Sequence, residues 1–125
     1  MNPRGVALFV YGTLMEAEAQ AGLLAGMRRV PARVQGRLFR MPAGYPALVL
    51  GPEAWVHGEL VDLTEPRRLP ILDTYEGVEE GLYERVQVPV WIGLRTLDAW
   101  TWVMTDPEGQ GGIALPSGRW RGRRR

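Results

Sequence analysis

The chain has 125 residues, 46% hydrophobic and 23% charged, with a formal net charge of +1. That is the size and balance of one globular domain. It has no cysteine and a single histidine, His57, which excludes disulfides, thiolate nucleophiles, cysteine-ligated zinc and any metal site needing two histidines.

All 15 basic residues are arginine, and five of them fall in residues 119–125. Taking those five charges from the net +1 leaves −4 on the remainder. A mildly acidic body argues against a nucleic-acid face on the domain. Residues 1–118 are therefore expected to form a single domain, and 119–125 a basic, disordered tail. No basic-then-apolar leader opens the sequence, and no apolar run approaches the ~18 residues of a membrane span. A soluble, cytoplasmic protein with no membrane partner is the expectation.

Val6-Ala7-Leu8-Phe9-Val10 is a continuous, partly β-branched apolar run, expected as a buried strand that exits at Tyr11-Gly12-Thr13. Residues 15–26, rich in Ala, Leu and Glu, predict a short helix with Glu16 and Glu18 at its positive end and Gly26 as its stop. Across 33–63 the period becomes two: Val34, Gly36 and Leu38 alternate with Arg33, Gln35 and Arg37, and segments 47–50 and 55–63 follow. These predict antiparallel strands separated by turns at Pro42-Ala43-Gly44 and Gly51-Pro52-Glu53. Thr64-Glu65-Pro66 reads as the entry to a second helix, short or kinked at Pro70. Val86, Val88 and Val90 share one face of a further strand, and 97–104 forms another that carries Trp100 and Trp102. Five to seven short strands with two small helices give an α+β domain built on a curled or closed sheet.

With thiol and two-histidine chemistry excluded, carboxylates, hydroxyls and backbone dipoles remain, and two segments could use them. In Tyr11-Gly12-Thr13-Leu14, the glycine lets the backbone turn tightly and present N–H groups beside a helix N-terminus, a place suited to a substrate carboxylate. A Gly-Thr pair also serves merely to turn the chain and cap a helix. In Leu72-Asp73-Thr74-Tyr75-Glu76-Gly77-Val78, a carboxylate drawn into an apolar pocket would gain a raised pKa and become a usable base and acid. With Glu79, Glu80 and Glu84 nearby, a solvated acidic loop is the competing reading. His57 reads as structural, and the five tryptophans as packing rather than a base-stacking platform.

Five segments then occur in order: Tyr11-Gly12-Thr13-Leu14, Tyr45-Pro46-Ala47-Leu48, Val56-x-Gly58-x-Leu60, Leu72-Asp73-x-x-Glu76-Gly77 and Tyr83-x-Arg85-x-x-Val88. Together they resemble the γ-glutamylcyclotransferase-like superfamily, in the branch of AIG2-like proteins and γ-glutamylamine cyclotransferases, over residues 6–105. The resemblance implies a small mixed, mostly antiparallel β-barrel flanked by short helices. It implies Glu76 as catalytic acid and base. Tyr11, Gly12, Thr13 and Leu14 would be the loop that receives the glutamyl α-carboxylate through backbone N–H groups, and Tyr83 a pocket residue. No metal or organic cofactor is implied. The expected reaction is attack of the α-amine of a small-molecule γ-glutamyl amine on its own γ-carbonyl, releasing 5-oxoproline and an amine. Thr13-Leu14 stands where glutathione-degradation-type relatives carry Ser-Asn, which argues against free γ-glutamyl dipeptides as substrates. The alternative is a non-catalytic small-molecule binding or interaction domain of the same fold. Binding of single-stranded nucleic acid through the tail and tryptophans is disfavoured by the acidic body.

Overall fold

Five strands close on themselves in the computed structural model, which describes residues 6–12, 27–63 and 83–120. They are β1 (Val6–Val10), β2 (Arg29–Arg40), β3 (Pro46–Leu63), β4 (Glu84–Ile92) and β5 (Arg95–Val103), followed by a two-residue β6 (Ile113–Ala114). The spatial order is β3-β1-β5-β4-β2, and a second pairing of β2 with β3 closes the ring, with β6 added to the end of β2. Every ladder is antiparallel except β1 with β5. This is the mixed, mostly antiparallel barrel expected from the resemblance. The two helices expected at 15–26 and after Thr64 lie outside the described residues. No helix among the described residues is long and apolar enough to cross a membrane.

Side-chain alternation explains which strands read as continuous apolar runs and which as period two. Phe9, Val34, Leu38, Val56, Val88 and Ala99 form one buried cluster, which fills the barrel. Leu8, Val10, Val61, Leu63 and Trp102 belong to a second cluster on the opposite face of the β3-β1-β5 side. Because β1 contributes to both clusters, none of its residues is free to be polar, hence the unbroken Val-Ala-Leu-Phe-Val. β4 is buried on one face only at Val88 and Val90, so Arg85, Gln87 and Pro89 alternate with valines.

The parallel seam between β1 and β5 has a single ladder pair, Leu8 with Trp100. Side chains reinforce it. The buried Thr101 hydroxyl donates to the Phe9 carbonyl at 2.8 Å, and the Tyr11 hydroxyl donates to the Trp102 carbonyl. Gly58 on β3 is required by close approach. A Cβ there would lie 2.1 Å from the Val10 carbonyl oxygen and 2.9 Å from the tip of the Phe9 ring.

Two expectations need correction. Gly51-Pro52-Glu53 does not reverse the chain. β3 runs straight through it, and its register on β2 passes from Gly36–Leu50 to Gln35–Trp55, leaving 51–54 without a partner on β2. This is a bulge, and it bends one long strand around the barrel; Gly-Pro interrupts a ladder in either case, so the sequence signal is the same. The β2–β3 reversal lies at 41–45 as expected, closed by Gly44 N–H to Met41 O and Met41 N–H to Tyr45 O, both 2.8 Å. β6 and a short 3-10 helix at Glu108–Gln110 follow β5, and the six strands fall within the five to seven expected. Finally, the fold extends past 118. Trp120, inside the segment that charge marks as tail but one of the tryptophans read as packing, is 4% exposed within the inner cluster, with the Arg40 guanidinium 4.1 Å from its ring centre. Residues 121–125 lie outside the described residues.

His57 ties this terminal segment to β3, since its backbone N–H donates to the Gly118 carbonyl at 2.8 Å. Burial, then the Arg119 guanidinium, then Arg33 on the facing strand, push its imidazole below the ordinary 6.5. A histidine whose pKa is lowered on folding binds its proton more readily in the unfolded chain. Stability is therefore highest above the unfolded value, and is lost as pH falls through about 6.5 towards the folded value. Denaturant midpoints measured from pH 7.5 to pH 5 are expected to fall for the native protein. They are expected to fall less for His57→Gln, and equal slopes for the two would remove the assignment.

Candidate active site

β1 delivers the Tyr-Gly turn to one end of the barrel. Tyr11 keeps the strand's alternation and sends its ring inward, 6.1 Å from Phe9 with the two planes 26° apart. It is 5% exposed and its hydroxyl is engaged by the Trp102 carbonyl. The side chain of Tyr11 thus anchors the turn to β5.

Gly12 faces Pro46, the first residue of β3. A Cβ at position 12 would sit 2.4 Å from Pro46 Cγ, so any side chain would collide with the ring. Proline is tolerated there because the start of a strand can lack an N–H donor. The same residue is held from its other side, where the Tyr83 hydroxyl donates to the Pro46 carbonyl. Tyr83, 8% exposed and one residue before β4, packs edge-on against Tyr45 with centroids 6.1 Å apart. Two residues further along β3, the Leu48 carbonyl accepts from Met104 N–H at 3.1 Å.

Three residues singled out from sequence, Tyr11, Gly12 and Tyr83, are therefore brought to one end of the barrel, and Pro46 joins the last two. Glu76, Thr13 and Leu14 lie outside the described residues. The Tyr45-Pro46 pair was legible as one of the ordered motifs, but with no role attached. Its role is to bridge the turn and Tyr83. Val56-x-Gly58-x-Leu60 likewise acquires a meaning: Gly58 makes room for Phe9 and for the Val10 carbonyl just beneath the turn. Chemically, the arrangement sets a buried glycine backbone against a proline ring that is in turn held by Tyr83. Peptide N–H groups at such turns are suited to anionic groups.

A barrel of this topology carrying a Tyr-Gly turn against a Tyr-Pro segment defines a class. The chain belongs to the family described as gamma-glutamyl cyclotransferase, AIG2-like, whose model matches residues 8–122. Among solved structures it is similar to YkqA from Bacillus subtilis, at 28% identity and a TM-score of 0.74, over 93% of this chain and 39% of that one. It thus spans about two fifths of YkqA. An AIG2-like protein from Mus musculus shares the fold at 19% identity and a TM-score of 0.74, covering 98% of this chain and 97% of that one. A gamma-glutamyl cyclotransferase shares it at 18% identity and a TM-score of 0.69, over 88% and 69%. No curated protein matches the chain.

Tyr83→Phe keeps the packing on Tyr45 and removes the donor to the Pro46 carbonyl. Leaving that buried acceptor without its partner is expected to cost about 1–3 kcal/mol. Chemical denaturation would detect this as a lowered midpoint with an unchanged slope, and a midpoint equal to that of the native protein would contradict the contact's importance.

Proposed function

We propose that this protein is a γ-glutamyl cyclotransferase acting on a γ-glutamyl amine or a related small amide, with Glu76 as the proton-transfer group. The observation that carries the reading is the convergence of Gly12, Pro46 and Tyr83 at one end of a barrel belonging to this family. A buried turn residue without a Cβ, set against the Pro46 ring that Tyr83 holds, suits a substrate with one charged end and one carbonyl to be polarised.

The chemistry needs no side-chain nucleophile. Glu76 takes a proton from the substrate's α-ammonium, and the freed amine attacks the γ-carbonyl carbon, forming the C–N bond of a five-membered ring. Tethering makes this attack intramolecular. Negative charge passes to the carbonyl oxygen, where backbone N–H groups of the 11–14 turn would stabilise it. Protonated Glu76 then gives its proton to the leaving nitrogen and the original C–N bond breaks; Glu76 takes the surplus proton from the ring nitrogen and passes it to the amine, so that 5-oxoproline and an ammonium depart. Gly12 has no side chain to obstruct the α-carboxylate, the backbone of Thr13 and Leu14 would serve with it, and Tyr83 would border the substrate.

The test is 5-oxoproline release from a panel of γ-glutamyl amines and γ-glutamyl dipeptides. Removing a positioned general acid–base group typically costs roughly 10²–10⁴-fold, and Glu76→Gln is expected to lower turnover by that order. Undiminished turnover in Glu76→Gln would sink the mechanism. Absence of turnover on every member of the panel would favour the non-catalytic binding domain instead.

A further inference from the structure

The barrel has a second end, where β1 begins, five residues or roughly 16 Å along that strand from Tyr11. A cavity of about 500 Å³ opens there. By strand alternation its inward-facing floor is Ala7, Val30, Leu60, Ile92 and Leu97. Val30 is 40% exposed, so the apolar lining reaches solvent. The rim carries Arg28, Arg95 and Asp62. Arg29 also lines the cavity, but its guanidinium is held by Glu59 at 2.7 Å. Arg28 and Arg95 are exposed and form no ion pair among the described residues. The backbone of the rim is itself fixed, since Asp62 N–H donates to the Arg28 carbonyl at 2.9 Å.

We propose that this mouth is a binding site for a small amphipathic anion, a short apolar chain or ring ending in a carboxylate or phosphate. The volume lies within the range of small-molecule sites, which are apolar with a few placed polar groups and occur in barrel mouths. The tail lies on the valine and leucine floor. The head meets Arg28 and Arg95, whose planar guanidiniums match carboxylate and phosphate oxygens. With Arg29 held by Glu59, two cations without an ion pair among the described residues line the rim with one carboxylate, Asp62, so the rim favours an anion over a cation. The site is separate from the Tyr-Gly turn and does not depend on any reaction there.

Calorimetric titration of the full chain with hexanoate, hexyl phosphate, hexanol and hexylammonium tests this. Hexanoate or hexyl phosphate is expected to bind saturably and more tightly than hexanol, with hexylammonium weakest. Which anion is tighter distinguishes the two head groups. Replacing both exposed rim residues, Arg28→Ala with Arg95→Ala, is expected to weaken the tighter anion roughly tenfold or more. Val30→Trp, at a partly exposed position, is expected to fill the mouth and abolish binding while the melting temperature holds. No saturable binding of either anion at millimolar concentration would overturn the proposal. Hexylammonium binding as tightly as hexanoate would do so too, as would arginine variants that bind undiminished.

Discussion

The contact between Gly12 and Pro46 is the constraint on which the candidate site depends. A position without a side chain and a residue with a rigid ring occupy space that two ordinary residues could not share. The closeness matters because each side is independently fixed. Gly12 follows Tyr11, whose hydroxyl is tied to β5, and Pro46 is tied by its carbonyl to Tyr83. Segments separated by dozens of residues in sequence are thereby fixed at one barrel end.

That arrangement needs the barrel to be closed. The β1–β5 seam, with one parallel ladder pair, is the shortest join in the ring alongside β2–β4, which also has one. Thr101 and Tyr11 supply hydrogen bonds where the ladder is thin. Both are buried polar groups, and each is satisfied by a backbone carbonyl on the other strand, which makes the seam specific as well as tight. The long β3 completes the ring by bending at 51–54, so one strand pairs with β2 over both of its halves and with β1 at its end.

Much of this was legible from particular residues. The apolar run at 6–10 and the Gly12 exit follow from burial on two faces. The valines at 86, 88 and 90 follow from burial on one. The ordered motifs gave the family and pointed to Tyr11, Gly12 and Tyr83. What the sequence could not convey was distance across the fold. Nothing local tells that Pro46 meets Gly12, or that Trp102 offers its carbonyl to Tyr11. Gly51-Pro52 looks the same whether the strand bulges or turns back. Five arginines suggested a tail from 119, because charge density does not reveal that one tryptophan among them reaches the core. Glu76 enters the proposal through its motif and the family's chemistry.

The most direct test of the account is a cycle at the contact itself. Gly12→Ala places a methyl where the Pro46 ring lies, and overpacking of this kind is expected to cost about 1–3 kcal/mol of stability. Pro46→Ala removes the two ring carbons nearest that methyl while keeping the carbonyl that Tyr83 uses, and the remaining Cβ would stand 3.6 Å away. Denaturant unfolding of both single variants and the double variant should show strong non-additivity, with the double variant recovering most of what Gly12→Ala loses. Losses that simply add would contradict the claim that these two residues fit only as glycine and proline together.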